Sequence, residues 1–302
     1  VTVRPPIART TLAVAVGIAT KGRAAVLRET IAELQAQTQR PSRIIIAHTD
    51  ASDVAGLVPV DGLELVCVAA GLCNQRNAIL DRLADDGSDI VLFFDDDFLP
   101  MPDYIAATAA AFLSNHDIAV TTGEVLVDGI KGPGLTAEYG RDVLAAQPET
   151  AVPAAMTLVR NGYGCNMAIR LAFIRSTAMR FDPNLPFYGW LEDVDFCVRA
   201  GAHGRIVKLP GARGVHLGVK LGRGSGTRLG YSQVSNPVYL VRKGSMPQRD
   251  AIISVSKNII ANTAKYFFPE PYVDRPGRLR GNMIALRELL AGTIRPTRVL
   301  DL

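Results

Sequence analysis

The stretch that most constrains this chain is Ile90-Val91-Leu92-Phe93-Phe94-Asp95-Asp96-Asp97-Phe98. An unbroken apolar run of this kind needs burial on both faces, which an inner strand of a covered sheet provides. Three carboxylates directly after it then lie on the rim of that strand. Side chains alternate along a strand, so Asp95 and Asp97 are expected on one face and Asp96 on the other. Two carboxylates converging at a strand's carboxyl end suit a hard divalent cation, which takes oxygen ligands. Open α/β sheets place their ligand crevices at the same edge. An isolated acidic triplet is more often a solvated turn that caps the next helix, so the rest of the chain has to decide.

The chain before it reads as alternating strands and helices. Residues 1–10 form an arm, and Thr11 to Ala19 is apolar and β-branched, a buried first strand. After the polar turn Thr20-Lys21-Gly22-Arg23, Val26, Leu27, Ile31 and Leu34 recur at helical spacing over Ala24 to Gln37. Further strands are expected at Arg43 to Ala47, Leu63 to Val68 and Asp89 to Phe94, with a helix from about Cys73 to Leu83. This order with short links predicts an α/β fold, a mostly parallel sheet flanked by helices. Beyond the triplet, a helix is expected over 101–114 and a strand over Ile118 to Val127. Gly129 to Pro153 reads as a period-free loop, functional or mobile. A helix over Leu171 to Met179, a helix opening at Trp190 to Phe196 and strands at Arg205 to Leu209 and up to His216 complete the core.

Composition narrows the class. The 302 residues carry 33 Lys and Arg against 29 Asp and Glu, a net +4. From position 200 onward the counts are 17 and 5, which leaves 16 and 24 before it. An acidic body with a basic tail suits a metal-binding core and a tail facing phosphates, nucleic acid or an acidic membrane. The tail does not interleave aromatics with cations regularly, which argues against nucleic acid. Cys67, Cys73, Cys165 and Cys197 form no CxxC pair, so reduced thiols in a cytoplasmic protein are expected. No apolar run reaches the roughly 18–20 residues that span a bilayer, and no signal peptide is visible.

Seven short pieces come in one order: Thr20 to Arg23, Gln37-Thr38-Gln39-Arg40-Pro41, Gly71 with Arg76-Asn77, the acidic triplet, Gly164-Cys165-Asn166, Trp190 to Phe196 and His216. Over about Leu12 to Leu217 this set resembles the inverting, nucleotide-sugar-dependent glycosyltransferases of family 2, with the GT-A fold. The resemblance implies a GT-A catalytic domain over 1–218 and a basic loop with a helical extension over 219–302. It implies transfer of a sugar from a nucleotide-diphosphate donor, UDP favoured, to a saccharide or polyprenyl-linked glycan acceptor in polysaccharide or glycoconjugate synthesis.

The same resemblance assigns residues. A divalent metal, Mn2+ or Mg2+, would neutralise the leaving diphosphate as a Lewis acid. Asp97 is its firmest ligand, Asp95 a ligand or ribose contact, His216 the third ligand, and Asp96 a contact to sugar or ribose hydroxyls. Asp193 matches the general base that inversion needs, with Glu192 orienting the acceptor or holding the motif. Trp190 would stack on a sugar ring, and Asp195 would serve structure. Ala19, Thr20 and Arg23 are expected beside the nucleotide base, with Arg76 and Asn77 close by. His48 stands where the family usually has an acidic base contact, with Asp50 and Asp53 downstream.

After His216, Gly218 to Arg228 alternates glycines with cations, including Arg223 and Arg228, and is expected to be a flexible lid over the diphosphate. Tyr231 to Lys243 is expected to be helical. Residues 249–268 read as an amphipathic helix with Arg249, Lys257 and Lys265 at its edges, fit to pack on the core or to hold the protein peripherally on the cytoplasmic face of a membrane. Two rivals remain. A sugar nucleotidyltransferase would need a longer Gly-rich phosphate loop than Thr20 to Arg23. A non-catalytic binding protein of the same fold would be expected to lack one of Asp95, Asp97 and Asp193.

Overall fold

The computed structural model describes residues 11–148, 155–221 and 224–302. Strand parity decides its layers. In β1 (Val14–Ala19), β2 (Arg43–His48) and β4 (Ile90–Asp95), Val14, Val16, Ile18, Ile44, Ile46, Ile90, Leu92 and Phe94 share one face. That face is covered by Leu27, Ile31 and Leu34 of α1 (Ala24–Gln35) and by Tyr104, Ile105 and Phe112 of α3 (Tyr104–Ser114). Ala15, Ile45, Ala47, Val91 and Phe93 face the other way, under α2 (Leu72–Arg82), α5 (Leu171–Thr177) and α6 (Glu192–Ala200). At Gly17 a Cβ would come within 2.8 Å of Ile79 on α2, so the helix sits close only because the strand carries no side chain there.

The sheet runs β3-β2-β1-β4-β8-β6-β9-β5, with β3 at Leu63–Cys67, β5 at Phe98–Pro100, β6 at Ile118–Asp128, β8 at Asn166–Arg170 and β9 at Arg205–His216. The parallel order read from the sequence holds for β3, β2, β1 and β4. The other half is mixed. Strand β8 lies antiparallel between β4 and β6, β6 and β9 are parallel, and β5 and the two-residue β7 (Thr157–Leu158) pair antiparallel with β9. Three strands, β4, β6 and β9, therefore end at one edge with Asp95, Asp128 and His216.

Three expectations change. The period-free loop contains α4 (Ala137–Ala145), capped by the Thr136 hydroxyl, which accepts from the Tyr139 amide; residues 149–153 lie outside the described ones. The Gly-rich lid is shorter than expected, because helix α7 (Gly226–Lys243) starts inside it. Glycines of α7 and of α9 (Arg275–Leu290) are packing devices. A Cβ on Gly230 would strike the Arg278 carbonyl, and one on Gly281 the Thr227 carbonyl, so α7 and α9 touch backbone to backbone. Finally, α8 (Gln248–Ala264) is not apolar on one face alone. Val255 and Ile259 pack inward against Tyr231 and Val234 of α7, while Ile252, Ile253 and Ile260 face solvent.

The inner faces of these helices are keyed by polar groups. Asn262 Nδ2 donates to Gln233 and Asn282, and Asn282 donates to the Gly230 carbonyl at 2.6 Å, all buried. Among the described residues no helix is long and apolar enough to cross a membrane.

Close glycine packing makes a clear forecast. Gly230→Ala would stabilise a flexible linker slightly, but in this interface the added methyl overpacks and should cost about 1–3 kcal/mol. A lowered urea midpoint in equilibrium unfolding would show it.

Candidate active site at the carboxyl edge of the sheet

The acidic triplet divides by backbone geometry. Asp95 is the last residue of β4 and keeps the parity of Val91 and Phe93, so it faces the side of α2 and α6. Asp96 and Asp97 lie in the turn that reverses the chain into β5. The expected pairing of Asp95 with Asp97 holds, but the turn rather than strand alternation produces it. Asp97 is buried, its Oδ2 accepting from the Val219 amide at 2.8 Å and from Arg23 at 3.2 Å. Its buried Oδ1 accepts no hydrogen bond and lies 3.4 Å from His216 Nε2. The same nitrogen is 3.9 Å from Asp95 Oδ2. One ligand atom from each of Asp95, Asp97 and His216 falls within 4.8 Å of the others. An oxygen left without a donor, a second carboxylate and an imidazole nitrogen together fit a divalent cation such as Mn2+ or Mg2+.

Electrostatics agree with that fit. Burial opposes charge on Asp97, but the nearby His216, with Arg23 and the Val219 amide, outweighs it and holds the carboxyl down at about 2. Burial likewise disfavours the His216 cation, yet the hydrogen bond to Asp128 and the nearby carboxylates of Asp97 and Asp95 raise it to about 10. A nook that draws a proton so strongly onto an imidazole attracts a metal cation for the same reason.

Asp96 takes the opposite direction. It is fully buried, accepting from the Thr20 hydroxyl at 2.7 Å and lying 3.0 Å from Arg23, so the expected contact with sugar or ribose hydroxyls is closed to it. Burial is the main reason its carboxyl is raised to about 7, with Arg23 opposing. Thr20 and Arg23 thus brace the triplet from within rather than presenting their polar ends outward. The Thr20 carbonyl is held by Gln75, which also donates to the Ala47 carbonyl and so ties β1 to β2 beside Ala19. His48, buried at the end of β2, places Nδ1 3.0 Å from the Asp50 carbonyl. Asp53 collects the amides of Gly22, Thr49 and Asp50 and so shapes the turn after β1.

A buried arginine joins the two carboxylate groups. Arg76 on α2 donates to Glu192 at 2.6 Å and to the Gly164 carbonyl at 2.8 Å, and lies 3.6 Å from Asp95. Its guanidinium rests on the rings of Phe93 and Phe181. Its neighbour Asn77 uses both ends of its amide on the backbone of Phe181. These two residues, expected near the nucleotide, hold the frame on which the site stands.

The acid pair opens α6. Glu192 is buried against Arg76, while Asp193 is half-buried, with Oδ2 accepting from the Gly164 amide at 3.2 Å and Oδ1 from the Val194 amide at 2.8 Å. Burial raises both carboxyls, Glu192 to about 8 with the charge of Asp193 adding and Arg76 opposing. The entry to the helix is strained. Phe187, Gly189 and Leu191 all have left-handed backbones, with φ of +55°, +65° and +71°. Strain of this kind persists where surrounding contacts over-determine it, often at a site. Trp190 is half-buried and stacks on Tyr188, its carbonyl accepts from Asn236 of α7, and its indole N–H is buried without a hydrogen-bond partner. Asp195, fully buried, binds Lys243, Ser245 and Arg199, which pins α7 to α6 as a structural residue should.

Arg228 donates to the Leu302 carbonyl at 2.7 Å and stacks on Phe187, among the terminal helices rather than over the carboxylates. Arg223 lies outside the described residues.

Asp128 escaped the sequence reading. At the end of β6, its Oδ1 is 2.9 Å from His216 Nδ1 and its Oδ2 accepts from the Tyr163 hydroxyl at 3.0 Å. It turns the ring so that Nε2 points at Asp95 and Asp97. No local motif marks it; only the parallel pairing that aligns Asp128 with His216 does.

No family model matches the sequence, and no curated protein matches it significantly. Solved structures do. A mannosyltransferase from Pyrobaculum calidifontis in complex with GDP-Man and Mn2+ aligns with a TM-score of 0.53 at 17% identity, over 98% of this chain and 80% of that one. GalNAc-T7 with UDP, GalNAc and Mn2+ gives 0.57 at 13% identity, over 97% of this chain and 56% of that one. The S. aureus TarS 1-349 fragment gives 0.53 at 14% identity, over 94% and 83%. In its UDP complex, that fragment is spanned over 60% of its length. The chain has the GT-A fold of these glycosyltransferases.

A carboxylate behind a metal-binding histidine sets both tautomer and orientation. Asp128→Asn should therefore weaken Mn2+ binding by about 10- to 100-fold. Titration of the free-ion electron paramagnetic resonance signal measures this without any turnover.

Proposed function

We propose that this protein is a metal-dependent inverting glycosyltransferase of the family 2 type. It would move a sugar from a nucleotide-diphosphate donor, UDP favoured, to a saccharide or polyprenyl-linked glycan. The observation that carries the reading is the convergence of Asp95, Asp97 and His216 within 4.8 Å, joined through Arg76 and Gly164 to an acid pair at a helix start. The GT-A fold and the Mn2+ complexes of two structural neighbours support it.

In this reading Asp95, Asp97 and His216 hold Mn2+ or Mg2+, which when bound supplies Lewis-acid neutralisation of the leaving diphosphate. Asp193 removes the proton from the acceptor hydroxyl as that oxygen attacks the anomeric carbon. The bond from that carbon to the diphosphate breaks, its electron pair leaving with the nucleoside diphosphate. Asp193 suits the task because it is only half-buried and holds no ion pair among the described residues, while Glu192 is spent on Arg76. Two amides keep its lone pairs directed without neutralising it. Trp190, stacked on Tyr188 at the entry to α6, is the aromatic platform for a sugar ring. Ala19, Thr20, Arg23 and His48 form the nucleotide end through the turn they build. Four free, dispersed cysteines favour the reducing cytoplasm. A role in polysaccharide or glycoconjugate synthesis follows from the proposed acceptors.

A thermal-shift panel of nucleoside diphosphates with and without Mn2+ tests the donor side. Stabilisation that needs Mn2+, is largest for UDP and disappears in Asp97→Asn is expected, because binding to the native state alone raises the melting temperature. No metal-dependent shift with any nucleotide would overturn the reading.

The base is tested by rate. Asp193→Asn should lower transfer by about a hundred- to ten-thousand-fold while leaving nucleotide binding intact. Because burial raises the Asp193 carboxyl, the rate should climb with pH through a value above the ordinary 3.8.

A further inference from the structure

Helices α8 and α9 each turn a second apolar stripe outward. On α8, Arg249, Ile253, Lys257 and Ile260 are exposed at steps of four, four and three, which is one helix face. On α9, Arg280, Met283, Arg287 and Leu290 repeat the arrangement at steps of three, four and three. Leu290 is 89% exposed, and the turn that follows α8 presents Phe267 and Phe268 at 73% and 86%. These side chains are not needed by the core, because the inner faces of both helices, with Val255, Ile259 and Leu289, already pack on α7.

Charge selects the partner. Among the described residues, none of Arg249, Lys257, Arg280 and Arg287 has a carboxylate partner, and no acid lies on either stripe. The region's acids are engaged elsewhere: Asp250 with Arg160, Glu270 with Arg275, Glu288 and Asp301 with Arg298, and Asp274 as the cap of α9. Rows of cations interleaved with apolar side chains, ending in exposed phenylalanines, match a surface that is anionic above and apolar beneath. A second copy of the chain would set cation against cation in a two-fold pairing, which is repulsive.

We propose that the outward stripes of α8 and α9, with Tyr266 to Phe268, dock on an anionic lipid bilayer. The sequence alone pointed to one amphipathic face that had to choose between core and membrane. The structure removes the choice, because separate residues serve each. The proposal stands without the glycosyltransferase reading. It adds geometry to that reading, since Asn236 and Lys243 of α7 bind Trp190 and Asp195 and so hold the site at a fixed attitude to the docking face.

Co-sedimentation of the full chain with phosphatidylcholine vesicles, alone or mixed with phosphatidylglycerol, tests it. Binding is expected only to the mixed vesicles and should weaken as salt rises. Lys257→Gln and Arg287→Gln should each lower the affinity by roughly fivefold, the worth of one cation near such a surface. The double variant Phe267→Ser, Phe268→Ser should lower it by more than about tenfold through lost apolar burial, with an unchanged melting temperature because both rings are exposed. Failure to bind mixed vesicles, or binding indifferent to all these substitutions, would overturn it. So would a sedimentation-velocity dimer that these substitutions dissociate, which would make the face a contact between copies.

Discussion

The site depends on one buried charge. Arg76 is fully enclosed, and a guanidinium in that position is tolerable only while Glu192, the Gly164 carbonyl and Asp95 compensate it and two phenylalanine rings cover it. Removing one partner of such a buried pair typically costs about 3–5 kcal/mol, whereas a surface pair is worth about 1 or less. The same side chain thus sets where β4 ends, where α6 begins and how the loop before β8 passes between them. The carboxylates at the end of β4 and the acid pair come from elements about a hundred residues apart, and they cannot shift independently while Arg76 spans them.

A second arginine performs the matching task on the other side. Arg23 lies against Asp96 and Asp97, so the turn after β4 is anchored by a residue of the turn after β1. The three adjacent acids are separated by this arrangement into a half-exposed carboxylate, an internal brace and a buried carboxylate with one oxygen free. Like charges so close would repel strongly if all faced one cavity. Distributing them over two arginines and a histidine is what lets them coexist.

Much of this was legible in the sequence, and what was not has physical causes. Apolar runs and helical spacing located β1, α1, β2, β4 and the acid edge, because each is a local signal. The acid pair at the start of α6 was legible as type and order. Helix α4 was hidden by the glycines and prolines before it, although Thr136 stands at its cap. Gly226 was read as part of a flexible lid, yet the lack of a side chain there, as at Gly230 and Gly281, permits close helix contact, and only the partner helix shows which applies. Arg76 looked like a ligand contact because its partners lie far away in sequence. Asp128 gave no signal at all, since its meaning comes entirely from the strand beside it.

The parity of β4 has a consequence for how such a chain can vary. Substitution among Ile90 to Phe94 alters packing on one face or the other, and the sheet can absorb an aliphatic exchange. A length change within the strand is different in kind. Losing one residue rotates Asp95 to the side of α1 and α3, turns three large side chains out of their layer and leaves Arg76 without one of its carboxylates. Insertions in the turn at residues 84–88, upstream of the strand, carry no such penalty. Evolution is therefore free to vary the composition of this strand but not its count, and the chemistry at its tip is protected by register rather than by the identity of any one apolar residue.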